Sequence, residues 1–362
     1  MRILVWQWGR RGAGPFYAAE LARAFACVPG TTALLSLSTG AELMQGPNPP
    51  RCDLPVATYS GLAGLAARML AAPLAAPRLA RWLRRERVDL ALCAMPAATD
   101  LVMAAALRLA GVPYVVVVHD AELHPGDRFA AQIRLQRWLT KGAVAVFALS
   151  QHVAARLHTL LPGKTVLLSA LPPFHYGADL PAPFAHGGKL RLLSFGRLLP
   201  YKGLDLLADA LARLGPLADL DVRVVGSGPA SAELDRLAAM PGVTVENRWV
   251  PEAEMAALLG WADALILSHR EASQSGVAVA ALAARRLVVA TNVGGLSEQL
   301  KDYPGAILCE PSPDALAEGV LALLNRPREP LAADTASTWQ EIARKMVEDL
   351  PAARAGKSPS PA

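Results

Sequence analysis

Cysteine is scarce: four in 362 residues, at 27, 52, 93 and 309, with no pair at metal-ligand spacing. A disulfide framework is thereby excluded as the source of stability, and a reducing compartment is expected. Apolar runs are short. None reaches the roughly 18 residues that a membrane-spanning helix requires. Aromatic residues make up only 6% of the chain, and they are not interleaved with basic residues as in nucleic-acid modules. Zinc-finger spacing and basic blocks are also missing. The opening MRILVWQW is too short for a signal peptide and arginines follow it, so it reads as a buried first strand.

What is present is an apolar chain long enough for two cores. Hydrophobic residues are 53% of the sequence and charged residues 19%, which suits two globular domains. The net charge is +5 and the pI about 9.2, a bias that favours an anionic ligand or surface. Strand-like and helix-like segments alternate through the first half. The run Tyr114–Val118 is continuously apolar and β-branched, as in a strand buried on both faces. Ser150 is placed to cap a helix beginning at Gln151. The alternation lapses over 171–188, with four prolines and three glycines, then resumes at Leu190. The expectation is α/β: two doubly wound, parallel-sheet (Rossmann-like) domains facing an interdomain cleft. Their bounds are 1–172 and 190–336, with a linker over 173–189. A closing helix over 337–350, opened by Ser337, Thr338 and Glu341 as capping residues, leads to a disordered tail over 351–362.

Candidate chemistry clusters at strand ends. In SFGRLLPYKGLDLL, Gly196 starts a loop carrying Arg197 and Lys202 just before a helix. Two cations beside a helix N-terminus form an anion site, because dipole and formal charge add. The competing reading is two ordinary surface cations. Gly226 and Gly228 follow another strand and suit a ligand approach or a tight turn. In EASQSGVAVA, Gln274, Ser275 and Gly276 sit at a helix start whose amides suit a phosphate oxygen, with Glu271 near a sugar hydroxyl. Alternatively, Glu271 or Ser273 caps that helix. Gly295 and Glu298 repeat the device in NVGGLSEQL. In the first domain, Arg10, Arg11, Gly12 and Gly14 follow the first strand. His119, Asp120 and His124 follow the fourth, where a histidine suits a hydroxyl contact or proton transfer. Zinc is conceivable on those three, but their spacing matches no standard site.

FGRLLPYKG, VVGSGP, WADALILS, QSG and VVATNVGGLSE occur in that order. The set resembles the retaining glycosyltransferases of family 4, which have the GT-B fold, over about residues 1–350. GRRGAG and HDAELHPGD look like the QSG-containing branch that acts on bacterial surface polysaccharides. The resemblance implies that Arg197 and Lys202 bind the donor pyrophosphate and that His119 lies near the transferred sugar. With Glu271 these form the expected catalytic set. The donor set is Gly12, Gly14, Gly196, Gly226, Gly228, Gln274, Ser275, Gly276, Gly295 and Glu298, and the acceptor set Arg10, Arg11, Asp120 and His124. One departure stands out: Ala280 occupies the position where the wider family carries its ribose-binding glutamate.

The implied activity is retaining transfer of a hexose from a UDP- or GDP-sugar to a lipid-linked or oligosaccharide acceptor. It needs neither metal nor cofactor. The alternative is a non-catalytic subunit that binds a sugar nucleotide. The apolar, arginine-rich stretch 61–90, expected to be split into two helices by Pro73 and Pro77, suits an anionic membrane or an ordinary helix surface. The expected location is the cytoplasm, with peripheral association at the inner membrane and no nucleic-acid partner.

Overall fold

The computed structural model describes residues 1–126, 130–174, 180, 182–184, 186, 188–215, 219–326 and 338–354. The chain forms two compact units. The first holds Met1–Leu123 and Phe129–Ala170 together with the last helix; the second holds Leu171–Ala336 plus the short stretch that begins at His124.

The first unit has six strands: β1 (Arg2–Gln7), β2 (Thr32–Leu37), β3 (Leu90–Cys93), β4 (Tyr114–Val118), β5 (Ala145–Ala148) and β6 (Val166–Leu168). They pair in parallel in the order β2-β1-β3-β4-β5-β6. Its helices are α1 (Ala13–Ala26), α2 (Glu42–Gln45), α3 (Gly61–Leu70), α4 (Ala72–Arg85), α5 (Asp100–Ala110), α6 (Ala130–Gly142) and α7 (Gln151–Leu160). Every residue of β4 is buried, as its unbroken β-branched run requires. Ser150 caps α7 by accepting from the Val153 amide at 3.1 Å.

The second unit repeats the plan with β7 (Leu190–Arg197), β8 (Leu220–Ser227), β9 (Val243–Asn247), β10 (Ala264–Leu267), β11 (Leu287–Thr291) and β12 (Ala306–Cys309). Its helices are α8 (Leu204–Arg213), α9 (Ala232–Ala238), α10 (Glu252–Trp261), α11 (Gly276–Ala283), α12 (Gly294–Leu300) and α13 (Pro313–Leu324). The parallel order is β12-β11-β10-β7-β8-β9. Successive residues of one strand serve opposite cores. Leu192, Ile266 and Val289 pack with Leu207, Leu211 and Val320 of α8 and α13. Leu193, Leu265 and Val288 pack with α10, α11 and α12. Each fully buried leucine contributes roughly 2 kcal/mol. The strand order reverses between β7 and β10, so the loops leaving their carboxyl ends open a crevice, the usual ligand position in such sheets.

The closing helix α14 (Trp339–Arg354) belongs to the first unit. Thr338 and Glu341 form a reciprocal capping box: the Thr338 amide donates to Glu341 Oε2 at 2.7 Å, and the Glu341 amide to Thr338 Oγ1 at 3.3 Å. Ser337, the other expected cap, lies outside the described residues. The expected tail over 351–362 begins late, because α14 continues to Arg354 and 355–362 are not described. The expected linker over 173–189 is also only partly described. Within it, Phe184 and His186 both bond to the Asp263 carboxylate.

Of the two prolines expected to divide 61–90, only Pro73 acts as a divider. It sits in the first turn of α4, just past the junction at Ala71, where its missing N–H disrupts continuity with α3. Pro77 lies inside α4, which runs through it to Arg85.

Candidate active site

Gly196 and Arg197, expected on a loop, are the last two residues of β7, paired with β8; Lys202 lies on the loop that follows, with an aromatic ring between the two cations. Pro200–Lys202 form one 3-10 turn, and Gly203 follows in the left-handed conformation before α8 begins. Tyr201 is only 5% exposed and lies at the centre of the group. Arg197 donates from Nη2 to the Tyr201 hydroxyl at 2.7 Å, and its guanidinium lies 5.3 Å from the ring centroid. The Lys202 ammonium lies 5.2 Å from the same centroid. An aromatic quadrupole attracts both cations and holds them within reach of one ligand. His124 stacks on this ring at 4.5 Å and 15°.

The loop after β10 meets the first loop at the strand-order reversal. Ser268 Oγ donates to the Lys202 carbonyl at 2.9 Å, and the Arg270 amide to the Tyr201 carbonyl at 2.8 Å. The Arg270 side chain pairs with Asp205 of α8. His269, 2% exposed, has Nε2 only 2.6 Å from Lys202 Nζ. Burial, and then the Lys202 charge, hold its pKa well below the ordinary histidine value, so its ring is neutral near pH 7. Arg197, Lys202, Ser268 and His269 line one hollow.

Glu271, the acid expected near the donor sugar, bonds to His124 Nδ1 at 2.8 Å, while Ser273 Oγ lies 3.4 Å from His124 Nε2. His124, expected in an acceptor set of the first domain, is therefore tied to Tyr201, Glu271 and Ser273 within the second unit. The cap of α11 is neither Glu271 nor Ser273. Ser275 performs it, with Oγ accepting from the Ala278 amide at 3.4 Å. The Ser275 amide, expected to face a phosphate, donates instead to Gln299 Oε1 at 2.7 Å. Gln274 precedes that cap, and Gly276 opens the helix at an exposed position.

Gly295 donates its amide to the Ala272 carbonyl at 2.9 Å, and Glu298 is half-buried on α12. Gly196, Gly226 and Gly228 have a packing role. A Cβ on Gly226 would lie 1.7 Å from the Gly196 carbonyl oxygen, and one on Gly228 2.0 Å from that of Leu198. The ends of β7 and β8 approach this closely only because these residues lack side chains.

The remaining expected residues belong to the first unit. His119 is buried and donates from Nε2 to the Ala94 carbonyl at 2.9 Å, which fixes its tautomer. Burial lowers its pKa, while the Ala94 contact and Asp120 act in the opposite direction. Tyr17 of α1 packs edge-on to it at 5.1 Å. The Asp120 carbonyl accepts from Gln136 at 2.7 Å. Arg10 donates to the Gly40 and Tyr59 carbonyls at 3.3 and 3.1 Å, and Arg11 pairs with Glu42 at 3.6 Å. Both arginines thus have local partners. Gly12 caps α1 and Gly14 is buried within it. Among the described residues no three His, Cys, Asp or Glu side chains group as metal ligands, so zinc on His119, Asp120 and His124 is not supported.

Tyr201 and His269 were not among the expected residues. Each had a signal: Tyr201 directly precedes Lys202, and His269 follows a strand by two residues. The arrangement they complete is chemically suited to holding a diphosphate. It offers a planar fork and a point charge side by side, beside a neutral histidine.

Residues 14–172 match the family described as "Glycosyl transferase 4-like domain", and residues 189–326 the one described as "Glycosyl transferases group 1". The 2-deoxystreptamine glucosyltransferase of Streptomyces kanamyceticus is 27% identical over 252 residues, 63% of this chain and 65% of that protein. The D-inositol 3-phosphate glycosyltransferase of Jonesia denitrificans is 28% identical over 233 residues, 54% of each. The chain thus spans less than two thirds of the length of these curated relatives. The crystal structure of Anabaena HepE in complex with UDP and glucose superposes with a TM-score of 0.67 at 20% identity, covering 97% of this chain and 99% of that one. At that identity the likeness concerns the fold. With two doubly wound parallel sheets and a family match on each, the chain belongs to the GT-B glycosyltransferases of the family 4 type.

Proposed function

We propose that the protein is a retaining, metal-independent glycosyltransferase that moves a hexose from a UDP- or GDP-sugar to a lipid-linked or oligosaccharide acceptor in bacterial surface polysaccharide synthesis. The observation that carries this reading is the pairing of Arg197 and Lys202 on Tyr201 at the reversal between β7 and β10. In the reaction the bond between the anomeric carbon and the diphosphate oxygen breaks. The acceptor oxygen bonds to that carbon on the same face, and the acceptor proton passes to the departing phosphate. Arg197 and Lys202 stabilise the charge that develops on the leaving group. Glu271, oriented by His124, receives a sugar hydroxyl. A subunit that only binds sugar nucleotides is not favoured, since both matched families and the curated relatives are glycosyltransferases by name.

The lipid-linked acceptor is supported by α3 and α4. No residue of α3 is buried, and Leu62, Leu70 and Leu74 are 86%, 83% and 66% exposed. Arg68, Arg78 and Arg81 are exposed on the same two helices, which suits an anionic bilayer. No helix of the described residues is long and apolar enough to cross a membrane. In this reading the enzyme works on the cytoplasmic face.

The test is a thermal-shift screen with UDP, GDP and their sugars, followed by sugar transfer with Lys202→Ala. Stabilisation by one nucleotide, with transfer nearly abolished in the variant, supports the reading. Unchanged turnover would sink it. Co-sedimentation with phosphatidylglycerol vesicles but not phosphatidylcholine vesicles, lost when Leu62 and Leu70 are both changed to Ser, tests the membrane component.

A further inference from the structure

The geometry points to His269 as the residue that positions Lys202, through a neutral imidazole that takes one of the ammonium's three N–H groups. This rests on the reading that Lys202 meets the donor diphosphate. A lysine is a poor anion ligand until something fixes it, because its four-carbon stem has many rotamers and its charge lacks the planar fork of arginine. Two of its neighbours bear on its place. His269 Nε2 lies at 2.6 Å, and the Tyr201 ring centroid at 5.2 Å. His269 accepts one N–H and so fixes the direction in which the ammonium points.

The main chain of His269 is fixed and its ring is packed in place. Its carbonyl accepts from Thr291 Oγ1 at 2.6 Å, and its side chain is enclosed. The preceding Ser268 bonds to the Lys202 carbonyl, so one loop fixes both the main chain and the side chain of Lys202.

The device depends on the absence of charge on the ring. Only a neutral imidazole accepts at Nε2, and the proton then resides on Nδ1. The groups facing it are mainly cationic or neutral. Lys202 comes from the 3-10 turn, Tyr201 meets it edge-on at 6.3 Å, and His124 lies near enough to disfavour its protonation. Glu271 is bonded to His124, Arg270 to Asp205, and Arg197 to Tyr201. Burial first, and then the Lys202 charge, keep the ring neutral. A protonated His269 would set two cations at hydrogen-bond distance and displace Lys202. His269 is thus a positioning residue that acts through Lys202.

The test uses the full chain and calorimetric titration with UDP. His269→Gln keeps an acceptor near the Nε2 position, whereas His269→Asn stops short near Nδ1. His269→Leu removes the acceptor. The expected result is UDP affinity within about twofold of wild type for Gln, and about tenfold weaker for Asn and Leu, the range for losing one hydrogen bond to a charged group. Adding His269→Leu to Lys202→Ala should cost nothing beyond Lys202→Ala alone. If Lys202→Ala leaves UDP affinity unchanged, the donor-site reading itself fails. If Lys202→Ala weakens binding but Asn and Gln behave alike, or the Leu effect adds in full to that of Lys202→Ala, the positioning role is refuted while the donor site stands. Should the Leu variant fail to fold, the comparison of Gln with Asn decides.

Discussion

Gly203→Ala probes the join between the two loops that make the site. Gly203 has φ +66°, and a Cβ there would sit 2.0 Å from the Ser268 carbonyl oxygen and 3.1 Å from its carbon. An alanine in the left-handed region costs about 1 kcal/mol by itself. Relieving the contact requires a main-chain shift of roughly 1 Å, because a carbon and an oxygen rarely approach closer than about 3 Å. Two hydrogen bonds bridge this gap, from Ser268 Oγ to the Lys202 carbonyl and from the Arg270 amide to the Tyr201 carbonyl. Losing them adds about 1 kcal/mol each. The lower entropy of the unfolded alanine chain returns about 0.5 kcal/mol. The net destabilisation expected is about 2.5 kcal/mol, with UDP affinity reduced more than about tenfold as Lys202 moves. The control is Gly215→Ala in the same unit, where φ is +69° and no atom lies within 4 Å of the added Cβ, so only the conformational cost remains. Urea unfolding followed by circular dichroism and calorimetry with UDP supply the measurements. Equal stability and equal UDP affinity for the two variants would refute the steric argument.

Three further outcomes are expected. Tyr201→Phe removes the acceptor that holds Arg197 at 2.7 Å, and should weaken UDP binding about fivefold without lowering the melting temperature; unchanged affinity would detach Arg197 from Tyr201. Asp100 is fully buried and its pKa is pushed up by burial to about 7 from 3.8, so the folded state holds its proton more tightly than the unfolded one. Its contribution to stability is therefore full below about pH 4 and is lost as pH rises to 7, by at most about 1.4 kcal/mol per unit. Asp100→Asn should remove that slope in denaturation midpoints taken from pH 4 to 8, and an unaltered slope would assign it elsewhere. Thr338→Ala breaks the capping box of α14 and should cost about 1 kcal/mol in the first unit's unfolding transition; no change would show that the cap is dispensable.

The elements that declare themselves locally were legible in the sequence. Tyr114–Val118 carries its own pattern, and the structure places a strand with those bounds. Ser150 is likewise set by chemistry within three residues of itself. The site was legible only as separate strand ends. Joining Lys202 to His269 requires that β7 and β10 be neighbours, and sheet order is not written in either segment. His124 was read with the segment it follows, yet its partners are Tyr201 and Glu271, far along the chain. Gly226 reads as an approach for a ligand or a tight turn; what its missing side chain admits in the fold is the Gly196 carbonyl of the adjacent strand, which the local sequence does not show.

The membership of α14 in the first unit has a consequence for biosynthesis. Ile342, Ala343, Met346 and Leu350 are buried, and Trp339 meets Tyr17 with ring centroids 5.4 Å apart. The surface of α1 that receives them is translated first and receives its cover last. Every residue of the second unit leaves the ribosome before the helix that completes the first. At synthesis rates of roughly 5–20 residues per second, the nascent first unit exposes that apolar surface for many seconds. Chaperones have their longest opportunity on the half of the protein that is made earliest.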